Sequence, residues 1–431
     1  MFDYIKFDIG SLRILICVMI ILAFGLLLNF KRHISSVFNV VLIYILCGFI
    51  SSILFYGLSK NQWYSFDESV IQYEPLLYLV ILFLIMALPF LYILPKKYQG
   101  FDDEGIEPLL NVIAILLFLS SLFPFFYGLI SLFSLNYNSI VSSYEGRGVF
   151  SDNPIVYYSN QFRNYLKFFI SPLLFYYIYK GCEYRKYLFF VVFSLVTTVL
   201  LSLVGGGRGT MVNEVNYLVI CYLLFAHLIT PQNKKKIKKQ FVIFIAAVVV
   251  SLTVITFARS NFSSSNASEK KKADLITWVF LYLGQGPLEF SRQMYPSTVR
   301  TEGDNSFSLV KTAIGLKTFK ENNDRREYWA EKQEIDNFIF YTVIGDIYSD
   351  LGYEYTIIFF LGISIVMCLY FKSGNSFLSI HKVVIASMYF EWLTMGFMTN
   401  CYKTYYSQFF ILITLIILFI LFVYNRKAKV Y

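Results

Sequence analysis

The sequence predicts an all-α polytopic membrane protein, and three observations carry that reading. Hydrophobic residues fill 57% of its 431 positions and charged residues only 15%, against about 25% charged in a soluble globular chain. The apolar residues come in runs long enough to cross lipid, which takes about 20 residues. Between those runs, Lys and Arg gather in small clusters. A mean hydropathy of +0.58 agrees. A chain so poor in polar residues cannot cover itself in water.

Taken in order, the spans are expected at about 11–30, 36–58, 74–95, 108–134, 163–180, 187–205, 209–229, 241–259, 353–371, 377–399 and 405–425. That makes about eleven transmembrane helices, within a range of roughly 10–13. The run at 163–180 is the most interrupted, carrying Lys167 and Pro172. Pro89 and Pro124 are expected to kink their helices, which neighbouring helices in a membrane can accommodate. The whole of 1–431 reads as a single membrane domain.

Orientation follows from the cations. The clusters Lys31-Arg32, Lys96-Lys97, Arg185-Lys186, Lys234-Lys235-Lys236 and Arg426-Lys427 alternate with the spans as cytoplasmic loops should. The net charge of +9 is therefore assigned to topology, and no nucleic-acid partner is expected. The N-terminus then lies outside, with 59–73, 135–162, 205–209, 260–352 and 400–404. The 260–352 segment is one large extracytoplasmic loop, far longer than structureless loops usually run. It begins polar at 263–266, then turns amphipathic at Trp278, Phe280, Leu281 and Leu283 and again over 338–348. Both stretches are expected as short helices on the outer interface. No internal repeat or inverted half-symmetry of the transporter kind is visible.

The six cysteines show no CxxC or Cys/His ligand spacing, so neither a disulfide framework nor a metal site is expected. No cofactor is expected. A cleavable signal peptide is not expected either, because the first apolar run has its cationic flank after it.

Arginine on the outer side is the residue to follow, because the positive-inside bias disfavours it there. Arg208 sits in Gly205-Gly206-Gly207-Arg208-Gly209, a turn in which backbone can approach a ligand closely. Arg147, Arg259, Arg292 and Arg300 are the other outer arginines, with Tyr144 beside Arg147. Guanidinium forks bind diphosphate and carboxylate bidentately; the blander reading is that they are solvated or reach headgroups. Among carboxylates, Asp346 and Asp350 are four apart and share one face of a helix, and Glu289 precedes Arg292 by three. Any of these, or Glu145 two before Arg147, could serve as a general base if burial raised its pKa; ion pairing or capping is the alternative. His33, His227 and His381 all fall near predicted cytoplasmic ends, so an outer histidine base is not expected. Tyr157, Tyr158 and Trp329 are outer aromatics able to stack on sugar faces.

The stretch Leu203-Val204-Gly205-Gly206-Gly207-Arg208-Gly209-Thr210 resembles the glycine–arginine turn of the bacterial oligosaccharide repeat-unit polymerases (Wzy type), which build O-antigens and capsules. Asn337-Phe338-Ile339-Phe340-Tyr341-Thr342 with 345–352 looks like the same family's segment leading into the span after its large outer loop. The layout of about eleven spans with one dominant late loop is similar too, and implies a GT-C-like architecture. The resemblance implies a bacterial cytoplasmic (inner) membrane enzyme whose site faces the periplasm or exterior. It would transfer a growing glycan from undecaprenyl diphosphate to the next lipid-linked repeat unit. The substrate would be an undecaprenyl-diphosphate-linked oligosaccharide, without metal, in the company of membrane lipid, a flippase and a chain-length regulator. Arg208 would then contact the diphosphate.

Three other functions are weighed. A lipid-linked oligosaccharide flippase or transporter would favour charges inside spans, where Glu214 and Glu391 stand as exceptions. An O-antigen ligase shares donor and architecture but is associated with an outer catalytic histidine, as a membrane acyltransferase would be.

Overall fold

A computed structural model of the chain describes residues 8–29, 35–59, 66–103, 105–133, 153–205, 208–265, 275–316, 318–319, 322–336, 339, 341–372 and 376–428. Helices dominate. In lipid, backbone amides and carbonyls have no water to bond, so apolar runs must satisfy them internally. Among the described residues, seven stretches are long and apolar enough to cross a membrane: Ile9–Leu28, Ser36–Leu58, Tyr73–Lys97, Glu107–Phe133, Cys182–Val204, Tyr353–Lys372 and Tyr405–Arg426. The chain is an all-α membrane protein. Side chains such as Leu27, Ile130, Phe133, Leu369 and Phe419 stand exposed on these helices, where lipid is the natural solvent.

In chain order the principal helices are α1 (Ile9–Asn29), α2 (Ser36–Ser59), α3 (Tyr73–Ala87) and α4 (Glu107–Phe133). The expected run at 163–180 is broken into α5 (Pro154–Tyr165), a 3-10 turn at Lys167–Phe169 and α6 (Ile170–Lys180). Asn153 caps α5 by accepting from the amides of Ile155 and Val156, and Pro154 follows at the first helical position, where its missing N–H costs nothing. Then come α7 (Arg185–Val204), α8 (Arg208–Phe225), α9 (Pro231–Ser265) and α10 (Leu275–Glu289). Short helices α11 (Ser308–Ala313), α12 (Asn322–Gln333) and α13 (Val343–Leu351) precede α14 (Tyr353–Lys372), α15 (Ile380–Met395) and α16 (Tyr405–Ala428). The expected span at 377–399 opens instead on a strand, β2 (Phe377–Ser379), paired in parallel with β1 (Gly100–Asp102) in the register Gly100 to Phe377.

Backbone contacts gather into two compact units: Met1–Leu94 with Glu269–Gly374 and Glu391–Phe409, and Pro95–Ser268 with Asn375–Phe390 and Phe410–Tyr431. In the first, α10 runs along α2 at backbone contact. A Cβ on Gly284 would meet the main chain of Ser51, and one on Gly286 the carbonyl of Phe397. Gly284–Glu289 of this helix are buried against protein while Leu283 stands exposed, where a helix lying on the lipid interface was expected. Phe397 is the hub of this packing, stacked on Phe83 with centroids 4.1 Å apart and edge-on to Phe49 at 5.6 Å. In the second unit, α4 and α7 meet through Ser121 and Ser194, hydroxyl to hydroxyl at 3.0 Å. Lys180 there bridges Asp103 and Glu107 at 2.7 Å each.

Gly286→Ala and Gly284→Ala are each expected to lower the unfolding midpoint of the detergent-purified protein by roughly 3–10 °C, through overpacking. Gly362→Ala in α14, where an added methyl meets nothing within 4 Å, should leave it unchanged or slightly raised. Thermal unfolding by light scattering checks all three.

Candidate functional site

Within the first unit an open recess of about 470 Å³, part of it solvent, is lined by charged and aromatic residues. Its wall comes from α12, from the turn around 301–305, from Ile335, Asp336, Ile339 and Tyr341, from α13 and from Lys403. Arg325, Trp329 and Gln333 succeed one another at four-residue spacing on α12, and so share one helix stripe.

The floor is α13. Thr342 caps it, its hydroxyl accepting from the Gly345 amide at 3.0 Å, and residues 343–350 are all buried. Two of them are carboxylates, which cannot be buried without donors. Asp346 Oδ1 accepts from Asn305 Nδ2 at 2.9 Å and lies 3.5 Å from Lys403 Nζ. Its Oδ2 accepts from the Asn400 amide at 2.8 Å and the Thr399 hydroxyl at 3.4 Å. Asp350 Oδ1 accepts from the Asn305 amide at 3.0 Å and from the Thr301 hydroxyl. Asp346 lines the recess, whereas Asp350 stands behind the turn.

That turn is tightly wound: Glu302 and Gly303 both take positive φ, 52° and 83°. Its carbonyls face α12, so that Arg325 Nη1 donates to Asp304 O at 3.1 Å. Trp329 Nε1 donates to Asp304 Oδ2 at 3.2 Å, and Lys311 forms an ion pair with Asp304 Oδ1. Gln333 is tied to Val299 O and Ser349 Oγ, both at 2.9 Å.

A second charged group closes the rim. Fully buried Glu289 takes both Arg292 Nε (2.9 Å) and Nη2 (3.1 Å), and Arg292 Nη2 also donates to Asp336 Oδ2 at 2.8 Å. Gln293 Nε2 repeats the bridge, reaching Glu289 and Asp336 at 2.8 Å each. The recess thus presents three cations, Arg325, Arg326 and Lys403, with two carboxylates, of which Asp336 is engaged by Arg292.

Burial sets the titration. It pushes Asp350 up to about 6, against the pull of the Thr301 and Asn305 hydrogen bonds. Glu289 rises to about 7 because burial outweighs Arg292. Burial lowers Lys403 and Arg325, with Asp346 opposing in both cases. The arrangement holds cations ready for an anionic ligand at lower desolvation cost, because their water has already been replaced by fixed dipoles.

Of the residues singled out in the sequence, Asp346 lines the recess. Arg292 and Glu289 build its rim support, with Asp350 behind the 301–305 turn. Arg300 is packed elsewhere, its guanidinium over the Tyr348 ring at 4.7 Å and its Nη1 donating to Ser297 O. Arg208 opens α8 and Arg259 falls within α9, both in the second unit. Arg147 and Tyr144 lie outside the described residues. Trp329 is in the wall. Sequence reasoning missed Arg325, Arg326, Asn305, Asp336 and Lys403. The one available signal was the stripe of Arg325, Trp329 and Gln333 within an otherwise charged helix. Among the described residues no group of His, Cys, Asp and Glu is placed to hold a metal ion. Comparison of the chain with protein-family models, curated proteins and solved structures finds no match to any of them.

The sign of the pH effect is set by the raised carboxylates. An unfolded carboxylate titrates near 4, so the stability that protonation lends is complete below about 4 and is lost as pH rises through about 6 for Asp350 and about 7 for Glu289. The unfolding midpoint is expected to fall between about pH 4 and 7, and Asp350→Asn and Glu289→Gln should each flatten that slope. Thermal scans in a pH series check it.

Proposed function

We propose that this chain polymerises lipid-linked oligosaccharide repeat units, moving a growing glycan from a polyprenyl diphosphate onto the next lipid-linked unit. The observation that carries the reading is the recess itself: two arginines, a half-buried lysine, a tryptophan and an ion-paired aspartate within one wall, on a membrane protein. In such a reaction the acceptor sugar hydroxyl attacks the anomeric carbon, the bond to the lipid diphosphate breaks, and the hydroxyl proton passes to a base. The diphosphate leaves with its own negative charge, so the demand on protein is cation and position.

Arg325, Arg326 and Lys403 meet the cation demand, since guanidinium forks match phosphate oxygens. Asp346, at the floor beside Lys403, is the proton acceptor in this reading. Trp329 offers a ring face to a sugar. The resemblance in 203–210 keeps Arg208 as a further diphosphate contact, though the recess shifts the emphasis to residues that resemblance does not cover.

The scaffold suits the same reading. With α5 and α6 read as one crossing, and α8, α9 and α15 added to the long apolar helices, the chain would have the eleven crossings that a GT-C-like arrangement calls for. The 260–352 segment then faces the periplasm or exterior of a bacterial inner membrane, where lipid-linked units await extension.

In a strain lacking the gene, surface or lipid-linked glycan should stop at one repeat unit. Lys403→Met and Arg325→Ala should fail to restore the ladder although each protein is inserted, with chain extension reduced on the order of 10²-fold or more in membranes. Gels of extracted glycan read the result. Restoration of a full ladder by both variants would sink the assignment. Loss of single-unit surface display in the deletion strain would favour a flippase.

A further inference from the structure

We infer that Asp350 is a positioning residue of the recess, which sets both the Asp346 carboxylate and the Arg325 guanidinium through the 301–305 turn. The two ends of the connection are separate. Asp350 Oδ1 holds the turn at its first and last residues, through the Thr301 hydroxyl and the Asn305 amide. The same turn then delivers the Asn305 side-chain amide to Asp346, at 2.9 Å from Oδ1 and 3.3 Å from the backbone carbonyl. It also delivers the Asp304 carbonyl to Arg325 Nη1, at 3.1 Å.

The turn needs such a hold. A non-glycine residue at positive φ is disfavoured, and Glu302 at 52° stands directly before Gly303 at 83°. Two backbone bonds, Thr301 N to Ser349 O and Asp304 N to Thr301 O, both 2.9 Å, close it only in part. Asp350 closes the remainder from one helical turn below Asp346. Asp350 does not line the recess, as Asp346 does, and so is poorly placed to meet a substrate hydroxyl. Its effect reaches the ligand through Asn305 and Asp304.

The role rests on the polymerase reading only where turnover is measured, so the test has two arms. In the first, the full-length detergent-purified protein is compared as wild type, Asp350→Ala and Asp350→Asn. Amide exchange of the 299–308 peptide and phenylglyoxal labelling of Arg325 are both read by mass spectrometry. Asp350→Ala should speed exchange by about tenfold or more and raise labelling by about threefold. Asp350→Asn keeps an acceptor oxygen and should stay near wild type. Unchanged exchange and labelling in Asp350→Ala overturns the inference whatever the protein's substrate. Should Asp350→Ala not purify folded, Thr301→Val removes one arm of the hold and is read against the same two outcomes.

In the second arm, chain extension is measured for Asp350→Ala, Asn305→Ala and the double variant. Residues acting along one connection are non-additive, so the double variant should fall within about twofold of the weaker single. Losses that multiply overturn the connection. If the wild type extends no chain while the first arm gives the expected result, the polymerase reading fails and the positioning role stands.

Discussion

Two carboxylates one turn apart on a buried helix set the terms for everything around them. Asp346 and Asp350 lie on α13, whose first eight residues are buried, and an unsatisfied charge in such a place costs several kcal/mol, of the order found for broken buried pairs. The chain answers with donors from two separated segments: Thr301 and Asn305 in one, and Thr399, Asn400 and Lys403 in the other. Gathering those donors folds the 301–305 turn over α13, and the turn's outward carbonyls and the Asp304 side chain then receive Arg325 and Trp329 from α12. The recess is a by-product of satisfying α13. Its chemistry and its stability therefore draw on the same few hydrogen bonds.

The rim repeats the principle with a different pairing. Glu289 is fully buried and Asp336 is well exposed, and Arg292 with Gln293 spans the two. A guanidinium shared between carboxylates in different environments is oriented by the buried one, because that bond is the harder to give up. Asp336 is thereby anchored although its own residue stands at the surface. Beneath lies an aromatic floor in which Tyr78 meets Phe290, Tyr348 and Tyr353. Rigid rings with few rotamers hold this region with little entropy to lose on ordering.

Much of the scaffold was legible in the sequence because membrane helices are encoded by local composition. The runs at 11–30, 36–58, 108–134, 187–205, 353–371 and 405–425 match helices within a few residues. The departures have long-range causes. Nothing near Phe377 announces a strand, since its partner is Gly100, and the break at 167–169 became decisive only once the Asn153 cap started a separate helix upstream. The site divides the same way. Asp346 with Asp350, and Glu289 with Arg292, are near neighbours in sequence, and their spacing alone pairs them on one face. Arg325 and Arg326 sit in a strongly polar helix and resemble ordinary solvated charge, while Lys403 resembles a span-end anchor. Their convergence is visible only after the 301–305 turn and the Lys403 segment have both met α13.

The glycine contact of α10 has a mechanical consequence. With no side chain at 284 or 286, the helix touches Ser51 and Phe397 main chain to main chain. Sliding it by a single residue, about 1.5 Å, would drive Leu283 or Gln285 into that space, so α10 is fixed along its own axis. Immediately beyond Glu289 the chain makes one π turn, Phe290–Met294, closed by Tyr295 N to Phe290 O at 2.8 Å. That turn holds one residue more than an α turn, which rotates the residues beyond it by about 100° relative to a regular continuation. Glu289 consequently keeps its inward direction while Arg292 and Gln293 are carried round to Asp336. The locked helix serves as a fixed reference, and the wide turn is the gear step that converts its register into the angular setting of the rim.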